Sequence, residues 1–214
     1  SLCKGPCLGH KSGILSWPHS KNARVWKTTL RFGNPRLFRE KLLCESLLHV
    51  EAASKKGMLP AIRPDGATDH GDGVWLAKKL QESHWPGHFA SWVYDYTKHK
   101  KRMMQYIAGK MTDNYHLTFS HSGTNMDDCT DVLNAGGQVA IVFDSKPGTK
   151  KRAGEPIPDT FMGHKVLDGD YLYGDARFLD PEGPAWIGLR FKYNGPREEG
   201  LAIAGKFVVR MSDL

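Results

Sequence analysis

The sequence contains few cysteines and no long apolar run. Four cysteines among 214 residues are too few and too scattered for the disulfide framework of a small secreted protein. No stretch approaches the roughly 18–20 consecutive apolar residues of a membrane-spanning helix, and the first residues do not have the order of a signal peptide. We therefore predict a soluble cytoplasmic protein with no membrane partner.

Several common catalytic and binding motifs are also missing. The sequence has no P-loop, no G-x-S-x-G elbow and no H-E-x-x-H helix, which argues against the hydrolases that use them. No zinc-finger, helix-turn-helix or RNA-binding signature is present. Ser120, His121 and Ser122 supply residue types of a catalytic triad, but a triad is defined by geometry. The residues alone thus leave the reaction class open.

Positive charge is in excess, with a formal net charge of +7 and a pI near 9.2. It clusters in residues 98–102 and 146–152. Such clusters favour acidic partners, and we expect a nucleic acid or a phosphorylated small molecule as the partner. The alternative is a positively charged face that is only solvated, and the salt dependence of binding would distinguish the two.

Strand and helix patterns alternate from residue 34 onward. Residues 34–57 predict a helix, with Asn34 as the N-cap, Pro35 at the first position and Gly57 as the stop. Its apolar residues, Leu37 and Leu48 among them, form a wide face suited to packing on a sheet. The next predicted elements are strands at residues 59–66, 88–98, 115–125 and 137–145, and helices at residues 101–110 and 126–136.

This alternation predicts an α/β fold. Strands that alternate with helices pair in parallel through right-handed crossovers. We expect a mainly parallel sheet, open or partly closed like a TIM barrel, with a β-rich C-terminal part.

The chain is long enough for one good core, so we predict a single domain over residues 1–214. Residues 1–33 form a segment that contains cysteines, and residues 34–145 contain the βα repeats. Residues 146–163, rich in Gly, Pro and Lys, predict a basic loop or lid. Residues 164–214 predict a β-rich closing segment with strands at 164–170, 185–192 and 205–211 and no helix between them.

Each predicted strand ends in polar residues, and ligands of parallel α/β folds bind at that edge. The alternative is that loops are generally polar and that Asp-Gly and Asp-Pro are ordinary turn formers. The set as a whole still favours a pocket at this edge. The polar residues after the strands are Arg63, Asp65 and Asp69, then Asp95, Tyr96, Thr97 and Lys98, then Ser120, His121, Ser122 and Asn125, then Asp144, Asp168 and Asp170.

Two further interpretations concern metals. Asp144, Asp168, Asp170 and Asp175 would hold Mg²⁺ if they converge. Cys3 and Cys7 are separated by three residues, which matches neither the usual zinc knuckle nor the thioredoxin motif. His10 and His19 would complete a zinc site with them, whereas a reduced pair in a flexible N-terminus is the simpler alternative. Cys44 and Cys129 lie in predicted helices and are expected to be small buried apolar residues.

Several stretches, in order and over nearly the whole chain, match the pattern of one family. They are CKGPCLGHKSG, NARVWKT, residues 63–69, VYDYTK, NYHLTFSHSGTN, GGQVAIVF, and VLDGD followed by DARFLDP. On these stretches the chain resembles the gene product 88 family, phage-encoded proteins of largely unassigned function. It departs from the family pattern at Asp65, where an Asn is usual.

The resemblance implies an iron-sulfur enzyme similar to radical S-adenosylmethionine proteins, acting on a nucleotide or nucleic-acid-related substrate in the host cytoplasm. Family members usually carry three N-terminal cysteines, so Cys3 and Cys7 would be the last two ligands of a [4Fe-4S] cluster, with the first upstream of Ser1. S-adenosylmethionine would be the second cofactor. On this interpretation the catalytic residues are Asp69, Asp95 and Lys98, and the cofactor-binding residues are Arg63, Ser120, Asn125, Asp144 and Asp168.

A protein without catalytic activity is the alternative. The same chain would then be an accessory protein that binds nucleic acid, with its basic clusters on phosphates and tryptophans such as Trp17, Trp26, Trp85 or Trp92 stacked on bases.

Overall fold

The computed structural model describes residues 17–66, 68–83, 91–149, 153–170 and 183–214, and these residues contain six α-helices and eight β-strands. The helices are α1 (Pro18–Gly33), α2 (Pro35–Ser54), α3 (Asp72–Glu82), α4 (Lys100–Ile107), α5 (Met126–Asn134) and α6 (Arg197–Ala204). The strands are β1 (Ala61–Ile62), β2 (Trp92–Thr97), β3 (Tyr115–Ser120), β4 (Gln138–Phe143), β5 (Thr160–Phe161), β6 (His164–Asp168), β7 (Ala185–Arg190) and β8 (Val208–Val209).

The eight described strands form one mainly parallel sheet of order β1-β2-β3-β4-β7-β6-β5, with β8 alongside β4. β4 pairs in parallel with β3, β7 and β8, whereas β5 and β6 are antiparallel. The predicted α/β class with a mainly parallel sheet is confirmed. The strand order ends at β1 and at β5, so the sheet is not closed and the TIM-barrel-like alternative is not confirmed.

The described chain divides into two compact units. The N-terminal unit comprises Trp17–Tyr96 and Ala108–Leu117, and the C-terminal unit comprises Thr97–Ile107 and Thr118–Leu214. This division does not decide whether the two units fold as one domain, so the single-domain organisation stays a prediction.

Each unit has its own buried apolar residues. β4 is buried along almost its whole length, as expected for a parallel strand that is covered on both faces. In the N-terminal unit the buried residues include Val50, Ala53, Leu76, Leu80, Val93 and Leu117. In the C-terminal unit they include Phe119, Val132, Ile141, Phe143, Trp186, Ile187 and Leu201.

Helix α2 confirms the predicted start, with a narrower buried face than its apolar residues indicate. The side chain of Asn34 accepts a hydrogen bond from the Leu37 N–H at 3.0 Å, with Pro35 at the first helical position. The buried residues are Ser46, Val50 and Ala53, whereas Leu37 and Leu48 are exposed. The helix contacts α1 and α3, and packing of its apolar face on a sheet stays a prediction.

The predicted elements differ from the structure at three helices. α1 and α3 occupy residues to which no element was assigned. α6 lies between β7 and β8, so the expectation of a closing segment without helices is wrong. The strand predicted at residues 205–211 shrinks to Val208–Val209, because 3₁₀ turns flank it on both sides.

The basic loop is largely as predicted. Residues 146–148 and 153–158 contain neither helix nor strand, and β5 begins at Thr160. Its action as a lid stays a prediction. None of the helices in the described ranges combines the length and the apolar character needed to cross a membrane.

Candidate functional site

The loop that follows β1 is held together by the carboxylate of Asp65. This carboxylate accepts hydrogen bonds from the Thr68 hydroxyl at 2.5 Å, the His70 N–H at 3.1 Å and the Gly71 N–H at 2.8 Å. Asp65 is buried, with 4% of its surface exposed. The Asp65 carboxylate therefore organises the turn that leads into α3.

Asp95, on β2, is fully buried and touches the same loop. Its Oδ1 accepts the Asp65 N–H at 3.3 Å, and the Tyr115 hydroxyl donates to its Oδ2 at 3.1 Å. Gly73 in α3 lies so close that a Cβ there would come within 2.0 Å of the Asp95 Oδ2. Asp95 thus joins β2, the loop and α3, and no part of it is exposed to solvent.

The other predicted residues near this loop are more open. Arg63 and Asp69 are half-buried and lie on the same loop as Asp65, and the Arg63 guanidinium lies 4.4 Å from the centre of the Tyr96 ring. Lys98 is exposed and belongs to the C-terminal unit. The structure thus brings Asp65 and Asp95 into direct contact. Arg63 and Asp69 lie on the same loop as Asp65. The catalytic and cofactor-binding roles of these residues stay predictions.

In the C-terminal unit, the turn after β3 brings Ser120 and Asn125 together. The Asn125 amide donates to the Ser120 carbonyl at 3.1 Å and accepts the Ser122 N–H at 2.7 Å. Both atoms of the Asn125 amide group are therefore used to shape the turn before α5.

His121 lies in the same turn and is buried, with 4% of its surface exposed. Burial lowers the pKa of its imidazole, and a hydrogen bond with the Phe207 backbone opposes this only in part. Its Nδ1 has no hydrogen-bond partner within the described ranges. Gly123, with φ of +87°, packs against the backbone of Phe207, where a Cβ would lie 2.9 Å from the Phe207 nitrogen. His121 is thus held neutral at neutral pH beneath a 3₁₀ turn.

Asp144 and Asp168, at the ends of β4 and β6, are engaged within the protein. Asp144 accepts the Met211 N–H at 2.8 Å and lies 3.8 Å from Arg210. Asp168 accepts two hydrogen bonds from Arg190, which hold the pKa of its carboxyl below the ordinary value.

The magnesium alternative gains no support from these carboxylates. Arg190 and Lys192 also bind Asp170, and Asp175 lies outside the described residues. In the part of the chain that the structure describes, no three His, Cys, Asp or Glu side chains are grouped to hold a metal ion.

The cysteines fall into two classes. Cys3 and Cys7 lie outside the described residues, so their predicted role in a cluster is untested. Cys129 is buried as predicted, and burial raises the pKa of its thiol to about 12, so it stays protonated. Cys44 is exposed on α2, contrary to prediction, because it lies outside the buried face of Ser46, Val50 and Ala53.

A further accumulation of positive charge lies in residues 17–41, which we call the basic hairpin: Trp17, α1, Asn34 and the first two turns of α2. It contains seven lysines and arginines and a single acidic residue, Glu40, and so carries six of the seven net positive charges of the chain. α1 has no buried residue, and Trp17 and Trp26 are 60% and 55% exposed. Sequence reasoning missed this cluster because its cations are spaced along two helices instead of in a run.

The cations of the basic hairpin differ in their partners. Arg31 forms an ion pair with the buried Asp72 at 2.5 Å, which ties α1 to α3. Lys21, Lys27 and Lys41 form no ion pair with any described residue. Among the described residues, nothing neutralises these three lysines by an ion pair, so they can bind an external anion.

The two predicted basic clusters are partly neutralised. Lys100 lies 3.0 Å from Asp128 and 2.5 Å from Asp131, and Lys146 lies 3.2 Å from Glu155. Residues 150–152 lie outside the described ranges. Ion pairs within the chain thus engage Lys100 and Lys146 of these clusters, as they engage Arg31, Arg36 and Arg39 of the hairpin.

Comparison with known proteins gave one finding. The family model described as Gene product 88 matches residues 1–195. No curated protein and no solved structure matches the chain. The match supports the resemblance seen in the sequence, whereas a relation to radical S-adenosylmethionine enzymes gains no support from it.

Proposed function

The chain belongs to the gene product 88 family, and we propose that this member binds single-stranded nucleic acid through its basic hairpin. The observation that carries the proposal is the concentration of six net positive charges in residues 17–41. A polyanion binds such a surface by releasing the counterions of its phosphates. The proposal agrees with the nucleic-acid-binding alternative drawn from the sequence and moves it to a different surface.

Exposed aromatic side chains favour a single strand over a duplex. Trp17 and Trp26 are more than half exposed beside the lysines, and bases of a single strand stack on such rings whatever their sequence. Bases in a duplex are already stacked on one another. Lys21, Lys27 and Lys41 would contact phosphates while the two tryptophans contact bases.

The test is the salt dependence of binding to a labelled single-stranded oligonucleotide, followed by fluorescence anisotropy. A variant with Lys21→Gln, Lys27→Gln and Lys41→Gln removes three phosphate contacts, so the slope of log K against log salt should fall by about 2. The matched control carries Lys56→Gln, Lys110→Gln and Lys206→Gln, three exposed lysines outside the hairpin. It loses the same charge and should bind like the natural chain.

Two results would contradict the proposal. One is the absence of binding by the natural chain at low salt. The other is an equal loss of affinity in both triple variants, because that would mean a response to net charge and not to the hairpin. A duplex of the same length should bind more weakly than the single strand.

An iron-sulfur enzyme is a second candidate, favoured by Cys3 and Cys7 and by a family match that includes them. Such clusters commonly use three or four thiolates, and Cys3 and Cys7 would supply two of them. Iron and sulfide assays after anaerobic purification would test it, with Cys3→Ala, Cys7→Ala against Cys44→Ala as the control.

A further inference from the structure

A groove lies between α2 and α3 in the N-terminal unit. Its volume is about 430 Å³, within the range of about 300–1,000 Å³ that is typical of small-molecule sites. Its lining comes from the first three turns of α2 and from one face of α3: Pro35, Arg36, Arg39, Glu40, Leu43, Trp75 and Lys79.

Helical spacing explains why these side chains meet. Arg36, Arg39 and Leu43 are three and four positions apart and so share one face of α2, and Trp75 and Lys79 share one face of α3 in the same way. The Arg39 guanidinium lies 5.3 Å from the centre of the Trp75 ring. The groove therefore combines a half-buried aromatic face with a cation stacked on it.

Neighbouring carboxylates orient the three cations of the groove. Arg36 bonds Glu40 at 2.9 Å, Arg39 lies 3.6 Å from Asp72, and Lys79 bonds Glu82 at 2.7 Å. The cationic side chains are 90%, 46% and 43% exposed, respectively. The pairs of Arg36 and Lys79 are exposed on both sides and contribute little to stability, so an incoming phosphate competes for these two cations at low cost. The partner of Arg39, Asp72, is buried, so Arg39 is held in place on the Trp75 ring.

We propose that this groove binds one unstacked nucleotide, its base against Trp75 and its phosphate on Arg36, Arg39 and Lys79. Aromatic side chains and Arg guanidinium planes together stack unpaired bases, and the cations complement the charge of the phosphate. Arg36 and Arg39 also belong to the basic hairpin, so the inference rests on the proposed function. The groove would hold one nucleotide of the strand that the hairpin binds. An acidic peptide would use the cations but not the ring.

The experiment is calorimetric titration of the full chain with AMP and CMP, with ribose 5-phosphate as the probe that lacks a base. We expect both nucleotides to bind and ribose 5-phosphate to bind about tenfold more weakly or worse, because it cannot stack. Trp75→Leu should bring the nucleotides down to that level. Circular dichroism checks that this variant is folded.

Two charge-reversal variants test the groove even if Trp75→Leu does not fold. Arg36→Glu reverses a charge in the groove, and Lys56→Glu reverses an exposed charge outside both the groove and the basic hairpin. The first should weaken AMP binding at least fivefold more than the second. No AMP binding, equal binding of ribose 5-phosphate, or an equal effect of the two reversals would overturn the groove as a nucleotide site.

Failure of the groove and failure of the hairpin would look different. If AMP does not bind but the triple lysine variant still loses oligonucleotide affinity, the groove inference is wrong and the proposed function stands. If the triple variant binds the oligonucleotide normally while AMP binds the groove, the proposed function is wrong and the groove is a site for free nucleotides.

Discussion

Arg190 holds Asp168 through two parallel hydrogen bonds, from Nη1 to Oδ1 at 2.7 Å and from Nη2 to Oδ2 at 2.8 Å. Its Nε donates to the Glu155 carbonyl at 2.7 Å, and its own N–H donates to Asp170 at 2.7 Å. One side chain thus joins β6, β7 and the loop before β5. Only a planar guanidinium fits both carboxylate oxygens and still reaches the carbonyl.

The first prediction concerns this pair of parallel hydrogen bonds from Arg190 to Asp168, which we call the fork. Arg190→Lys keeps the charge but loses two of the three side-chain hydrogen bonds, so we expect the free energy of unfolding to fall by about 1.5–3 kcal/mol. Urea unfolding followed by circular dichroism measures it. Lys192→Arg, in an exposed pair with Asp170, is the control and should change the stability little. Equal stability of Arg190→Lys and the natural chain would contradict this role of the fork.

A second prediction follows from the pKa of Asp168, which the Arg190 side chain holds below the ordinary value of 3.8. A carboxyl with a lower pKa in the folded state stabilises the protein above its ordinary pKa. This contribution should be complete above pH 4 and disappear as the pH falls through the lower pKa of the folded state. Asp168→Asn should therefore show a shallower acid loss of unfolding free energy than the natural chain. Parallel acid profiles would exclude the effect.

The third prediction concerns His121, whose pKa is lowered from 6.5 by burial. Because the unfolded chain takes up the proton first as the pH falls, stability should be greatest above pH 6.5 and should decrease below it. His121→Gln should flatten this part of the profile, measured by urea unfolding at several pH values. His49→Gln, on an exposed side chain of α2, should leave it unchanged. A profile that is flat in the natural chain would show that His121 does not carry the effect.

The fourth prediction concerns Gly73, which packs against the Asp95 carboxylate. Alanine usually stabilises a helix relative to glycine by about 1 kcal/mol, but here its Cβ would collide with a buried oxygen. Gly73→Ala should therefore lower the thermal midpoint. Gly33→Ala is the matched control, since Gly33 is also helical and has open space around it, and it should be neutral or mildly stabilising. A raised thermal midpoint of Gly73→Ala would contradict the prediction, because it would mean that Asp95 moves aside at little cost.

The ends of helices and strands were predicted best where cap and turn residues mark them locally. Asn34 and Pro35 mark the start of α2 and Gly136 follows the end of α5, because caps act on adjacent backbone atoms. β4 was predicted within two residues at each end, because a long apolar run between turn residues has few other interpretations. α3 was missed because Gly71, Asp72 and Gly73 resemble a turn, whereas Gly73 is there to fit against Asp95.

The candidate sites were harder to predict because side-chain partners are set by tertiary structure. Asp65 and Asp95 were expected at one edge of the sheet, and they do touch. Nothing in the sequence indicates that Asp95 would be fully buried or that Arg190 would engage Asp168. The basic hairpin was missed for another reason: a helix brings residues together that are three or four positions apart, so its charge does not form a run.

The pairing of β8 with the carboxyl half of β4 sets an order of events during synthesis. Val142 and Phe143 pair with Val208 and Val209, and Asp144 bonds a backbone group 67 positions away. Until those residues have left the ribosome, this part of β4 has an unpaired backbone edge, which is a template for association with other chains. The C-terminal unit therefore completes its sheet late in translation, and premature termination before residue 208 would yield a product prone to aggregation.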